Sequence, residues 1–280
     1  MNNTPQIWFV TGASKGLGLA QVQELLKSGH RVAATSRVMS ALVAAVSAET
    51  DSFLPLEVNL SDEHSVASAI AQTVAKWGRL DVVVNNAGYG QLGTLEELSD
   101  AEARANFEVN VFGLLNVTRA AMPHLRAQQS GHFFNIASIG GYNGGFAGWG
   151  IYCATKFAVA GLSESLAAEA APFGVGVTIV YPGYFRTEFL DQGSLHLAKN
   201  PIAAYTNARE SEAFHQKVKG NQPGDPNKAA RVLIEVAAQD TPPLHLFLGA
   251  DAYQMAHQKI EQVEADLGAS KAVATATDVE

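Results

Sequence analysis

The chain has 280 residues, 47% of them hydrophobic and 16% charged, with a formal net charge of −8. That apolar content supports a large buried core and excludes a disordered chain, and the negative balance argues against a nucleic-acid partner while leaving room for a local basic cluster around an anionic cofactor. Cys153 is the single cysteine, so no intramolecular disulfide forms, and no Cys/His cluster has metal-binding spacing, so no metal is expected.

Met1–Gln6 is polar, without a charged region leading to a cleavage site, and no apolar run reaches membrane-spanning length. A soluble cytoplasmic protein with no membrane partner is the expectation. Candidate strands follow at Ile7–Thr11, Arg31–Ser36, Phe53–Val58, Leu80–Asn85, His132–Ala137, Val175–Tyr181 and His245–Leu248. Several are apolar throughout, as strands covered on both faces are. Pro55 cannot donate to a ladder, which places Phe53–Val58 at an edge or a strand start.

Helical patterns fill the intervals. Leu17–Ser28 ends at Gly29, a C-cap glycine; Ser61 is the expected N-cap of Asp62–Trp77. Ala101–Gln129 and Ile151–Pro172 are the two long central helices, and Asn227–Gln239 and Asp251–Leu267 complete the set. Strand–helix alternation implies right-handed crossovers and a parallel sheet. The expected fold is α/β: a doubly wound, mostly parallel seven-stranded Rossmann sheet with helices on both faces. One domain is expected over residues 1–268, interrupted by a lid-like insertion at about 184–224, with a disordered tail over 269–280.

The first strand runs into Thr11-Gly12-Ala13-Ser14-Lys15-Gly16-Leu17-Gly18 and then a helix. Glycines let the backbone turn tightly against a pyrophosphate, and the helix N-terminus offers free N–H groups and a positive dipole end. Gly12, Ser14, Lys15, Gly16, Leu17 and Gly18 are therefore candidate cofactor contacts. The second strand ends Thr35-Ser36-Arg37, without the acid that binds a ribose 2′-hydroxyl. Arg37, helped by Lys15, can instead hold a 2′-phosphate, which favours NADP(H) over NAD(H).

These residues, with Asn85-Asn86-Ala87-Gly88, Asn110, Ser138, Tyr152 with Lys156, and Pro182-Gly183 with Thr187, resemble the short-chain dehydrogenase/reductase family in order along roughly Gln6 to Leu267. The sequence is most similar to its single-domain branch and to bacterial reductases like the 17β-hydroxysteroid dehydrogenases. The resemblance implies an NADP-dependent oxidoreductase acting on a carbonyl or secondary alcohol. It implies that Asn59 and Leu60 contact the adenine, that Asn86, Ala87 and Gly88 line the cofactor, and that Thr187, after Pro182 and Gly183, reaches the carboxamide. It also implies that Lys156 binds the nicotinamide ribose and that Asn110 holds a water beside it.

The chemistry gives those positions a purpose. Hydride transfer to a ketone builds charge on oxygen, so a proton must arrive. Tyr152 lies one helical turn before Lys156, so the two share a face, and an ammonium there is expected to lower the phenol's pKa. Ser138, at the carboxyl edge of the fifth strand, would hydrogen-bond the substrate oxygen. Asn110, Ser138, Tyr152 and Lys156 are thus the catalytic candidates, while Cys153 is read as packing.

The Ser138–Tyr152 interval is one residue longer than the family usually shows, and its glycine-rich run is expected to absorb the extra residue before the helix. Gly140, Tyr142, Trp149, Tyr184 and Phe185 are candidate substrate contacts, with Phe146, Phe189, Leu190, Leu195 and Leu197 as further apolar wall. Such walls suit a small hydrophobic carbonyl or alcohol. A homodimer through the long helices is expected from the resemblance, with a tetramer less strongly indicated. The rival function is a non-catalytic NADP(H)-binding sensor, which has no need for Ser138, Tyr152 and Lys156 together.

Overall fold

The computed structural model describes residues 5–47, 50–277 and 279. In chain order its elements are β1 (Ile7–Val10), α1 (Gly16–Lys27), β2 (Arg31–Ser36), α2 (Met39–Val46), β3 (Phe53–Glu57), α3 (Glu63–Trp77), β4 (Val82–Asn85), β5 (Gly90–Leu92) and α4 (Asp100–Phe107). There follow α5 (Gly113–Gln128), β6 (Gly131–Ile136), α6 (Gly150–Ala170), β7 (Val175–Pro182), β8 (Leu195–Leu197), α7 (Thr206–Val218), α8 (Pro226–Ala237), β9 (His245–Leu248) and α9 (Ala250–Ala274).

Seven strands form one parallel sheet in the order β3-β2-β1-β4-β6-β7-β9. The expected Rossmann architecture is therefore present. β3, with Pro55, is at the edge, where a missing donor costs least. Successive residues of each central strand face opposite layers. Trp8 and Val10 join the core under α1, α2 and α8, whereas Ile7 and Phe9 join the core under α3, α5 and α6. Strand order reverses between β1 and β4, which opens a crevice at their carboxyl ends.

Several element ends differ from expectation for identifiable reasons. The N-cap of α3 is Asp62 rather than Ser61: its carboxylate accepts from the N–H groups of His64 at 2.9 Å and Ser65 at 3.4 Å. A carboxylate also complements the positive end of the helix. The expected single helix Ala101–Gln129 is divided by a π-turn at Glu108–Phe112, and a Ser99–Glu102 capping box starts its first part. Small segments escaped the periodicity: α2, α7 and the three-residue strands β5 and β8. The last two pair in parallel and pin the start of the insertion to the body.

The terminal helix overruns Leu267 and continues to Ala274, so residues 269–274 of the expected tail are helical. That stretch contains Ala269, Ala272 and Ala274, and alanine has the strongest helix propensity. Asp278 and Glu280 of the tail, like Met1 to Thr4, lie outside the described residues.

Candidate active site

A cleft of about 610 Å³ opens at the carboxyl edge of the sheet. Gly12, Ser14, Lys15, Gly16, Leu17, Arg37, Asn59, Leu60, Asn86, Ala87, Gly88, Pro182, Gly183 and Thr187, the candidate cofactor contacts, all line it. Gly12 has φ +64°, and a Cβ there would stand 2.8 Å from Ala87 Cα, so only glycine lets the turn press onto β4. Asn86 Nδ2 donates to the carbonyls of Thr11 and Gly12 at 2.9 and 3.1 Å, and Thr11 Oγ1 accepts from the N–H groups of Asn86 and Ala87. Two crossovers are thereby locked into one cradle.

Gly18 does not line the cleft. It is the close-packing glycine, because a Cβ would come within 2.4 Å of Asn86 Nδ2. The N-terminus of α1 carries no side-chain cap of its own, and the residues present fit a dinucleotide phosphate. One lid carboxylate touches this turn: Glu188 Oε2 accepts from Gly16 N–H at 3.2 Å. The Lys15 ammonium stands near Gly193 in the lid, 3.9 Å from where a Cβ on that glycine would be. Asn59 Oδ1 accepts from Ser61 N–H at 3.2 Å, so part of its acceptor capacity goes to an Asx turn.

The catalytic candidates come from three elements. Ser138, after β6, accepts from Gly140 N–H at 3.0 Å and lies against the Tyr152 phenol. Tyr152 and Lys156 are both buried on α6. Lys156 Nζ donates to the Ile136 carbonyl at 2.7 Å and stands 5.9 Å from the Tyr152 ring centre. Burial pushes the phenol's pKa above its ordinary value, against the lowering effect of Ser138. Desolvation is thus the dominant influence on the phenol in the protein by itself. The same desolvation lowers the Lys156 pKa to about 8.

Asn110 stands behind the cleft wall rather than in it. Its Oδ1 accepts from Tyr89 N–H, and its Nδ2 donates to the Tyr89 carbonyl and to Thr155 Oγ1, at 3.0, 3.0 and 3.1 Å. Thr155 Oγ1 donates in turn to the Tyr152 carbonyl at 2.7 Å. The π-turn that holds Asn110 thus ties the loop after β4 to the catalytic turn of α6. A Cβ on Gly88 would be 3.0 Å from Asn110 Oδ1 and 3.5 Å from Lys156 Nζ, which places all three groups together.

Of the substrate candidates, Gly140, Trp149, Tyr184 and Phe185 line the cleft, as do Phe146, Phe189 and Leu190. Tyr142 does not. Its ring packs edge-on to Tyr181 and Phe247, with centres 5.8 and 5.0 Å away, in a separate core cluster. The turn Ile139–Gly141 carries it off the wall. Leu195 packs in the apolar cluster beneath the wall, whereas Leu197, at the far end of the three-residue strand β8, is exposed. Between Ser138 and Tyr152 the chain runs through a loop with Gly148 at φ +81° before α6 begins. Cys153 is buried, and burial pushes its thiol up to about 11, in keeping with packing.

Among the cleft residues that sequence reasoning missed are Glu188, His215 and Gln222. These three belong to the insertion, where no motif marks them. Gly183 also has a reason beyond the cofactor, because a Cβ there would meet the Asp251 carboxylate at 2.3 Å. That carboxylate accepts from Tyr184 N–H at 2.7 Å.

Comparison with known proteins agrees with this geometry. The short chain dehydrogenase family pattern matches residues 6–196. A short-chain dehydrogenase structure from Streptomyces avermitilis is 38% identical, with a TM-score of 0.90 and coverage of 98% of this chain and 100% of that one. Oxidoreductase BOA17 of Botryotinia fuckeliana is 34% identical, over 93% of this chain and 94% of its own. A 3-ketodihydrosphingosine reductase of Bacteroides thetaiotaomicron is 34% identical, over 88% of each chain.

Among less similar solved neighbours, one from Burkholderia phymatum holds NAD (21% identical, TM-score 0.82, 95% and 96% covered) and shows the fold alone. One from Burkholderia cenocepacia holds NADP (26% identical, TM-score 0.74, 96% and 98% covered). Among the described residues no helix is long and apolar enough to cross a membrane, and no group of His, Cys, Asp and Glu could hold a metal. Fold, glycine turn, Tyr152–Lys156 helix and sequence similarity agree: the chain belongs to the short-chain dehydrogenase/reductase family of oxidoreductases.

Proposed function

We propose that this protein is an NADP(H)-dependent reductase that moves a hydride between the cofactor and an apolar carbonyl or secondary alcohol, with Tyr152 as general acid and base. The observation that carries the reading is the Tyr152 phenol. It is buried at the cleft, kept protonated by desolvation, beside the Ser138 hydroxyl and one turn from Lys156. When bound, the reduced nicotinamide supplies the hydride.

This chain's residues then have distinct tasks. Ser138 Oγ donates to the substrate oxygen and stabilises the charge that develops there. Tyr152 Oη gives that oxygen its proton. Lys156, still largely charged at pH 7, holds the ribose hydroxyls and favours the transient phenolate. Asn110 acts as a positioning residue for Thr155 and Tyr89 and carries the proposed water beside Lys156.

Arg37 supports the NADP(H) preference: it is exposed on the cleft rim at the end of β2, where an acid would oppose a 2′-phosphate. Trp149, Phe146, Phe189 and Leu190 support an apolar substrate, as does a relative named for reducing a keto compound. Phe112 and Phe157, exposed beside α5 and on α6, support the proposed homodimer.

The test is a panel of ketones and secondary alcohols followed by NADPH absorbance, in the wild type and Tyr152→Phe. The variant should lose at least a thousandfold in kcat while NADPH binding stays within about twofold. Retained turnover in the variant would refute the mechanism.

A further inference from the structure

The lid end of the cleft is not uniformly apolar. His215 is 7% exposed, and its ring lies 4.7 Å from Trp149, whose own ring is 5.5 Å from Tyr152. His215 Nδ1 donates to the Ser211 carbonyl at 2.7 Å, which leaves Nε2 as acceptor for the Tyr184 hydroxyl at 3.2 Å. That arrangement requires a neutral imidazole, and burial lowers its pKa accordingly. Gln222 is 2% exposed, and its Oε1 has no partner; neither has the buried Trp149 Nε1. All four side chains line the same cleft.

A buried polar atom without a partner costs about 1–3 kcal/mol, so a ligand that satisfies it gains from doing so. The two orphans are complementary in kind: Gln222 Oε1 needs a donor and Trp149 Nε1 needs an acceptor. A hydroxyl supplies both. A carboxylate would carry a charge into the cleft, and the Arg186 guanidinium that stands at Gln222 is turned to the Gln222 carbonyl at 3.1 Å and does not line the cleft. A pure hydrocarbon would leave both orphans unmet.

We propose that Tyr184, His215, Gln222 and the Trp149 indole N–H form a polar anchor at the lid end of the cleft that selects substrates bearing an uncharged hydroxyl remote from the reacting carbonyl. The natural substrate is then an amphipathic hydroxy-ketone, or the corresponding diol, rather than a plain hydrocarbon ketone or a keto acid. This inference rests on the reductase reading for its kinetics but not for its binding test. The Trp149 ring stands between His215, 4.7 Å away, and Tyr152, 5.5 Å away, so a hydroxyl at the anchor and a carbonyl at Ser138 occupy different places.

The probes are 2-octanone, 8-hydroxy-2-octanone and 7-oxooctanoate, three chains of equal length that differ at the far end. With NADPH and the wild type, the hydroxy-ketone should show kcat/KM about tenfold or more above 2-octanone, mostly through KM, and the keto acid should be the poorest. Gln222→Met and His215→Phe should each erode the hydroxyl advantage at least fivefold, with NADPH affinity unchanged and folding checked by thermal melting.

Equal efficiency for 2-octanone and 8-hydroxy-2-octanone, or equal losses on both in the variants, would overturn the anchor. Calorimetric binding of the same probes to the NADP⁺ complex separates the two claims. Hydroxyl discrimination in binding without turnover keeps the anchor and refutes the reductase reading. Absence of discrimination in binding refutes the anchor whatever the kinetics.

Discussion

Glu97 is the strongest test of how the lid is held. Its side chain has no solvent exposure, and every partner is a donor: Thr94 N–H at 2.8 Å, Ile202 N–H at 2.6 Å, and Arg209 Nη2, which reaches both carboxylate oxygens at 3.1 and 2.9 Å. Ile202 and Arg209 belong to the insertion, so one carboxylate docks it onto the loop before α4. In Glu97→Gln the amide NH₂ would have to face at least one of these donors.

Losing one partner of a buried pair costs about 3–5 kcal/mol. Arg209 is about one-third exposed and keeps Glu212 at 3.2 Å, so the low end, about 3 kcal/mol, applies. If lid and body unfold together, Tm should fall by roughly 6–12 °C. If the lid undocks alone, Tm holds while amide exchange across α7 accelerates. Calorimetry and hydrogen exchange distinguish the two. A Tm change under about 2 °C with unaltered α7 exchange would refute the reasoning.

Acid gives the same contact a second signature. Burial pushes the Glu97 carboxyl up, but the Thr94 and Ile202 N–H groups and Arg209 outweigh it, and its pKa ends below the ordinary value. A depressed folded-state pKa contributes stability that is present above the unfolded value and lost as pH falls through the folded one. The wild type should lose this contribution below about pH 4.5, and the Gln variant should not.

The remaining expectations concern the cofactor and the proton. Arg37→Asp should move the NADPH/NADH ratio of kcat/KM toward NADH by at least tenfold; an unchanged ratio would remove Arg37 from the argument. Glu188→Gln should tighten NADPH binding about fivefold at low salt and less at high salt, because the carboxylate on Gly16 N–H opposes an incoming phosphate. Fluorescence titration reads this, and weaker binding would show that Glu188 assists the cofactor. Lys156, lowered to about 8, loses its charge as pH rises through that value, so kcat/KM for reduction should fall there. Lys156→Arg, charged throughout, should shift that limb upward if it retains activity.

The legible part of this protein was the part made by short-range rules. All seven main strands announced themselves through apolar runs, and the glycine turn through residues whose backbone demands admit little else. Legibility failed where a partner distant in sequence decides the structure. The π-turn at Glu108–Phe112 serves bonds from Asn110 to Tyr89 and Thr155, and nothing within Ala101–Gln129 signals it. Tyr142 looked like a wall residue until Tyr181 and Phe247 claimed its ring. His215 and Gln222 lie far from the family motifs and reach the cleft only through lid docking that begins with β5–β8 pairing and Glu97.

The two perturbed groups of the catalytic helix also bear on direction. Burial raises the Tyr152 phenol and lowers the Lys156 ammonium, so one environment drives both toward neutrality. At pH 7 the phenol is protonated and Lys156, at about 8, is still mostly charged, which is the state a proton donor to a nascent alkoxide requires. Oxidation of an alcohol would need the phenolate first, and desolvation opposes that. The Lys156 ammonium is turned to the Ile136 carbonyl, so it offsets the phenol's desolvation only in part. The added positive charge of an oxidised nicotinamide, beside Lys156, is what would make the phenolate accessible. In the proposed reductase, proton donation then starts from the phenol as the protein holds it, whereas proton removal would need the cofactor's charge.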